Sequence, residues 1–231
     1  IFPFVSDDFM ISGTLLSEIS QNFKYIVVMR NPIDMVFTWF RSGRGTRLGT
    51  DPRYTNPAFK IRKFNNLHYL MIDNAEEFNK ANPLEKCFLI IEKQMIRYMD
   101  ADLLRSTNSC LVPIENYWIE TEKYIKRFEN FLGTSRTKFT SNEMTGANVP
   151  RKKDIDIFST KANMVFDNIN EKYIQRLKNL CQRYETEISD VYKLSSITNS
   201  PKGKFKDLSV DAFSQISSAS KFNRGKRSST K

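Results

Sequence analysis

Residues 24–40, KYIVVMRNPIDMVFTWF, constrain the fold more than any other stretch of the chain. The run from Lys24 to Met29 is apolar and β-branched after its first residue and shows no alternation, which is typical of a parallel strand covered on both faces. Asn31 is a good N-cap and Pro32 is preorganised for the first helical position, so a helix is predicted to follow over about Pro32–Phe40. The segment therefore predicts a strand–helix unit of an α/β protein.

Two side chains of this unit have the chemistry of a phosphate site. Arg30 comes at the carboxyl end of the strand, where open α/β sheets place their ligand crevices, and its guanidinium is a forked donor. The amide groups and dipole of the helix start are expected to attract the same anion. Thr38 lies about 140° around the helix from the apolar stripe that begins at Ile33, so its hydroxyl is not simply part of the core. On the residues alone, an equally good interpretation is that Arg30 ends a surface strand and Asn-Pro merely starts a helix.

The rest of the chain continues the alternation of strands and helices. Further elements are predicted as a helix over 84–104, a buried strand over 109–114, a helix over 120–132 closed by Gly133, and a long amphipathic helix over 170–194. The polar residues 134–162 are predicted as loop. This order indicates an α/β fold with a mainly parallel sheet in a domain over 1–194, followed by a disordered basic tail over 195–231.

Charge and composition limit the classes of function. The net charge is +10, but from Pro201 onward the basic residues face only Asp207 and Asp211, so much of the excess lies there. The remaining excess suits an enzyme with an anionic cosubstrate. Three widely spaced cysteines and a single histidine, His68, disfavour a metal site.

The chain offers few signals about its compartment. It starts with Ile1 inside an apolar stretch, so we expect a piece of a longer protein. Whether a signal peptide or a membrane anchor precedes it is left open. No apolar run is long enough to span a membrane. Nineteen asparagines without an Asn-x-Ser/Thr sequon favour the cytoplasm over the Golgi lumen.

Residues 24–40 resemble the second nucleotide-binding motif of the sulfotransferases that use 3′-phosphoadenosine 5′-phosphosulfate (PAPS). In that motif an apolar strand ends in Arg-Asn/Asp-Pro, and a Ser follows eight residues after the Arg. The resemblance implies that Arg30 and Thr38 bind the 3′-phosphate of the nucleotide, with Thr38 keeping the hydroxyl of the usual Ser. It also implies a P-loop-NTPase-like parallel sheet flanked by helices, and transfer of a sulfuryl group from PAPS to a hydroxyl acceptor without a metal.

The resemblance continues downstream in two blocks. Residues 111–133 are similar to the family's strand-Glu-Asp-loop-helix block, with Glu115 and Asn116 in place of the acidic pair, and packing is the favoured role for these two residues. Arg151, Lys152 and Lys153 correspond to a basic loop near the 3′-phosphate, although a solvated charge run is the alternative. The closing helix is more similar to that of the carbohydrate and protein sulfotransferases than to that of the cytosolic type.

Two parts of the family's active site are not evident. The P-loop-like motif that grips the 5′-phosphosulfate has no counterpart in residues 1–23, so the site is expected to be incomplete as given. Sulfuryl transfer also needs a base for the acceptor proton, and because no His precedes Arg30, a carboxylate is expected. Asp7 and Asp8 fall where cytosolic members carry their catalytic His. Asp8 is the candidate base, although capping of a turn is the preferred role of this pair.

Other features leave the acceptor and the function class open. An Arg-rich loop with Arg41, Arg44, Arg47 and Arg53 could receive an anionic carbohydrate or an acidic peptide, or could simply be solvated. A P-loop nucleotide kinase is the first alternative to the sulfotransferase. A non-enzymatic nucleic-acid-binding protein is the second, against which stands the lack of a recognised nucleic-acid-binding motif.

Overall fold

The structure, a computed structural model, describes residues 24–47, 69–146 and 157–193. Contacts divide the chain into two units, Ile1–Ser200 and Pro201–Lys231, and all of the described residues belong to the first. Predictions made for residues 1–23, for the end of the Arg-rich loop with Arg53, for the basic loop and for the tail lie outside the described residues.

Within the described residues, the sheet consists of two parallel strands. β1 (Tyr25–Met29) pairs with β2 (Ser109–Pro113), with Tyr25 opposite Ser109 and Met29 opposite Pro113. Parallel strands need a crossover connection, which here contains several helices. The predicted α/β class with parallel pairing is confirmed at this level.

The described elements cover only one face of β1, which corrects the prediction of a strand buried on both faces. Tyr25, Val27 and Met29 are buried, whereas Ile26 and Val28 are 41% and 58% exposed. Successive side chains of a strand point to opposite faces, so an alternating burial pattern means that the described helices pack against one face. An apolar β-branched run suits either arrangement, which is why the sequence pattern did not separate them.

Helix α1 (Pro32–Arg41) begins where it was predicted to begin. The side chain of Asn31 accepts a hydrogen bond from the Ile33 amide at 3.0 Å, and Pro32 occupies the first helical position. Ile33, Val36 and Phe37 are buried against the core. A single helical turn, α2 (Arg44–Arg47), follows, so this part of the predicted Arg-rich loop is helical.

The next segment leads to the longest of the described helices. A 3₁₀ turn over Tyr69–Asn74 and α3 (Ala75–Lys80) precede α4 (Pro83–Asp100), and a second 3₁₀ turn spans Asp102–Arg105. A capping box starts α4, because Asn82 and Glu85 each bind the other's backbone amide, at 3.0 and 2.8 Å.

The helices after β2 confirm one prediction and correct another. α5 (Ile114–Ile119) and α6 (Thr121–Leu132) follow the strand, and Gly133 closes α6 at a left-handed φ of 67°. Residues 134–162, predicted as loop, instead contain α7 (Lys138–Gly146) and the start of α8 (Phe158–Asn168). The last helix, α9 (Glu171–Glu187), ends seven residues before the predicted Leu194.

The core lies between the covered face of β1 and helices α1, α4, α8 and α9. Its fully buried members include Ile33, Val36, Phe88, Ile91, Ala162, Leu177 and Tyr184. A smaller cluster of Cys110, Val112 and Tyr124 joins β2 to α6. In the described ranges, no helix is long and apolar enough to cross a membrane and no three metal-binding side chains are grouped together.

Candidate anion-binding site at the carboxyl end of the sheet

Arg30 follows β1 directly and is held from two sides. Its Nε donates to Asp34 Oδ2 at 2.5 Å, and its guanidinium carbon lies 5.3 Å from the ring centroid of Trp118 on α5. The side chain is 30% exposed. Arg30 is therefore a partly buried cation whose position is fixed by one ion pair and one aromatic face.

Asp34 joins Arg30 to a second cation. The side chain of Asp34 is fully buried in the first turn of α1, and its Oδ1 accepts a hydrogen bond from Lys161 Nζ at 2.6 Å. Lys161 lies on α8 with only 8% of its side chain exposed. Arg30, Asp34 and Lys161, here called the ion cluster, carry two positive charges and one negative charge. The ion cluster thus leaves one net positive charge at the carboxyl end of β1.

The start of α1 offers an anion fewer amides than predicted. Pro32 has no N–H group, and the Ile33 N–H is already bound to the Asn31 side chain. The attraction for an anion at this place therefore has to come mainly from side chains.

Arg30 and Thr38 keep donors that no described residue uses. Nε of Arg30 is bound to Asp34, but its terminal nitrogens make no hydrogen bond in the described ranges, and neither does Thr38 Oγ1. Thr38 is half-buried, one turn after Asp34 and about 40° around the helix from it. Arg30 reaches towards the side of α1 that carries Asp34, which is also the side of Thr38. Neither side chain is sealed in the apolar core.

Glu115 brings an unpaired acid to the same edge of the sheet. It is fully buried at the start of α5, directly after β2, and neither carboxylate oxygen has a hydrogen-bond partner among the described residues. Burial raises the pKa of Glu115 to about 7, the nearby hydroxyls of Tyr184 and Ser189 act against that rise, and the charge of Asp34 adds to it.

The parallel topology explains why these groups meet. Because Met29 pairs with Pro113, the residues that follow the two strands emerge at the same edge. Trp118 comes three residues after Glu115 on α5, on the same side of that helix, and contacts Arg30. The ion cluster, Trp118 and Glu115 therefore form one group of side chains.

Two members of this group, Lys161 and Trp118, were not found from the sequence. Lys161 fell in a stretch predicted as loop, although the spacing of Phe158, Ala162, Val165 and Ile169 is that of a helix face and would have indicated α8. Its pairing with a residue 127 positions away carries no local signal.

The other predicted site residues divide into described and undescribed ones. Asp8, Arg151, Lys152 and Lys153 lie outside the described residues. In the Arg-rich loop, Arg41 is exposed and the Arg44 guanidinium packs 4.6 Å from the ring centroid of Trp39.

Comparison of the chain with protein families, with curated proteins and with solved structures finds no match in any of the three.

Proposed function

We propose that this chain belongs to a sulfotransferase that transfers a sulfuryl group from PAPS to a hydroxyl acceptor, and that Arg30 and Thr38 bind the 3′-phosphate of the nucleotide. The observation that carries the proposal is the state of Arg30. It is fixed at the carboxyl end of β1 while its terminal nitrogens are unused by the described residues. The sequence of residues 24–40, which resembles the family's second nucleotide-binding motif, supports the same assignment.

The chemistry of the donors fits a phosphate. A guanidinium presents a planar fork of N–H groups that matches two oxygens of one phosphate, and a hydroxyl can donate to a third. The net positive charge of the ion cluster favours an anion beside Arg30. Asp34 and Trp118 keep Arg30 in place, so that little side-chain entropy is lost when the ligand binds.

PAPS, when bound, supplies the activated sulfuryl group, and the described residues would contribute binding and orientation. Holding the nucleotide by its 3′-phosphate fixes the donor relative to the acceptor, and positioning of this kind accounts for a large share of catalysis in group transfer. Asp8 stays the candidate base, and Arg151 and Lys152 stay candidates for further phosphate contacts. An anionic carbohydrate or an acidic peptide is the acceptor that the Arg-rich segment would suit.

Retention of the protein on immobilised adenosine 3′,5′-bisphosphate tests the proposal. We expect the wild type to be retained and Arg30→Ala to be lost from the resin. Arg97→Ala is the matched control, since Arg97 is an exposed arginine on α4 and its loss changes net charge equally. Thr38→Val keeps the shape of the side chain but removes the hydroxyl, and we expect weaker retention. Equal retention of wild type, Arg30→Ala and Thr38→Val would overturn the assignment.

A further inference from the structure

Glu115 has no part in the proposed binding of phosphate, yet its position is costly for the protein. Both carboxylate oxygens are buried without a hydrogen bond from the described residues. Buried polar groups in proteins are nearly always paired, and unpaired ones are frequent at functional sites. The hydroxyl of Tyr184 on α9, which lies beside Glu115 and lowers its pKa, is also buried and has no partner at full hydrogen-bond geometry among the described residues.

Among the described residues, no positive charge acts directly on the Glu115 carboxyl group. The side chains that act on its carboxyl group are those of Tyr184 of α9, Ser189 after that helix, and Asp34 of α1. The first two are neutral and the third is negative. Arg30 and Lys161 are linked to Glu115 through Asp34, which they both bind.

The protonation state of Glu115 therefore decides the net charge of the whole group. With Glu115 neutral, the ion cluster leaves one positive charge at the edge of the sheet. With Glu115 ionised, the charges of the four residues sum to zero. A dianionic phosphate beside Arg30 is favoured in the first state and not in the second.

We propose that binding of a phosphate at Arg30 is coupled to proton uptake by Glu115, so that the site binds its anion when this carboxyl group is neutral and loses affinity when it ionises. The inference rests on the proposed function and adds regulation by pH to the same site. Glu115 acts through the electrostatic field at Arg30 and does not itself touch the ligand. Linkage makes the effect reciprocal, because the phosphate strengthens proton binding by the factor by which the proton strengthens phosphate binding.

The direction of the pH dependence follows from the raised pKa of Glu115, about 7 in the free protein. Below that pH the carboxyl group is neutral and binding of the phosphate changes nothing at Glu115. Above it the free protein is ionised there, while the complex keeps the proton to a higher pH. Affinity therefore falls as pH rises above about 7.

Isothermal titration of the full protein with adenosine 3′,5′-bisphosphate, at several pH values between about 6.5 and about 8.5, tests the coupling. Glu115→Gln is the comparison, since the amide is isosteric and neutral at every pH. The second ionisation of the phosphate, with a pKa of about 6, affects both proteins equally and cancels. We expect the wild-type affinity to fall roughly tenfold relative to the variant over this range. The binding enthalpy, measured in buffers of different ionisation enthalpy, should show that only the wild type takes up a proton when the bisphosphate binds.

A second measurement needs no variant. Carbon-13 NMR titration of the Glu115 carboxyl group, with and without the bisphosphate, should show a higher pKa in the complex. An unchanged pKa, or the same pH dependence of affinity in wild type and Glu115→Gln, overturns the coupling while the proposed function stands. No binding of the bisphosphate by either protein at any pH overturns the proposed function, and the coupling with it.

Discussion

Asp34 is the residue on which the geometry of Arg30 depends most directly. Each of its carboxylate oxygens accepts from a different cation, and its side chain has no exposed surface. A buried carboxylate is tolerated because it is paired twice, and each cation depends on it in turn. Asp34 therefore holds Arg30 in place while neutralising only one of the two positive charges of Arg30 and Lys161.

Replacement of Asp34 by Ala should destabilise the protein by about 3–5 kcal/mol, because Lys161 is left buried without its counter-charge. The free energy of unfolding from urea denaturation measures the loss. Asp100→Ala is the control, since Asp100 pairs with Arg183 at the surface and such pairs contribute up to about 1 kcal/mol. Equal, small effects of both substitutions would show that the ion cluster does not form.

The raised pKa of Glu115 predicts a pH-dependent stability. The folded protein holds this proton up to a pH of about 7, whereas the unfolded chain releases it near the usual value of 4.5. Between these values the folded state binds more protons, so the contribution of Glu115 to stability decreases as pH rises, by up to about 1.4 kcal/mol per pH unit. Below the lower value the contribution is fully present.

Glu115→Gln lacks this titration and should gain stability relative to the wild type as pH rises. Thermal unfolding of both proteins at about pH 5 and about pH 8 checks the difference. We expect the variant to gain up to roughly 3 kcal/mol relative to the wild type between the two conditions. A difference between the proteins that is the same at both pH values would mean that Glu115 is not a buried acid with a raised pKa.

At the scale of elements, the contact between α2 and α4 depends on one glycine. A Cβ atom on Gly45 would lie 2.0 Å from the carbonyl oxygen of Pro83, the first residue of α4. The carbonyl oxygen belongs to the backbone of α4 and the added Cβ would be attached directly to the backbone of α2. Neither atom could therefore move away by rotation of a side chain.

Gly45→Ala should therefore lower the free energy of unfolding by roughly 1–3 kcal/mol through overpacking. Gly133→Ala is the contrasting case, because no atom lies within 4 Å of its added Cβ and the cost comes only from its positive φ of 67°. Asn adopts a positive φ more readily than Ala, so Gly133→Asn should be more stable than Gly133→Ala. Gly45→Asn should be no more stable than Gly45→Ala. A Gly45→Ala protein as stable as the wild type would contradict the close packing of α2 on α4.

Elements fixed by local chemistry were predicted well, and those fixed by distant packing were not. Asn31 and Pro32 start α1, and Gly133 ends α6, through interactions within a few residues. The exposed face of β1 and the burial of α8 depend on which elements pack together, which local patterns do not encode. The site divides in the same way: Arg30 and Thr38 follow from one segment, whereas Lys161 and the burial of Glu115 follow from the tertiary fold.

At the scale of the whole molecule, the basic excess could imitate specific binding of an anion. Much of it lies after Pro201, far along the chain from Arg30. Deleting residues 196–231 should leave retention on immobilised adenosine 3′,5′-bisphosphate unchanged and should remove any salt-sensitive binding to DNA or RNA. If the deletion instead abolished nucleotide retention, the binding would belong to the basic tail and not to the edge of the sheet.

The central claim is that Arg30 and Thr38 recognise the 3′-phosphate of a nucleotide, and a pair of ligands tests it most directly. Isothermal titration compares adenosine 3′,5′-bisphosphate with 5′-AMP, which lacks only that phosphate. The wild type should prefer the bisphosphate by at least roughly tenfold, and Arg30→Ala and Thr38→Val should reduce the preference while Arg97→Ala keeps it. Equal affinity of the wild type for both ligands, or a preference that survives loss of Arg30 and of the Thr38 hydroxyl, would contradict the account.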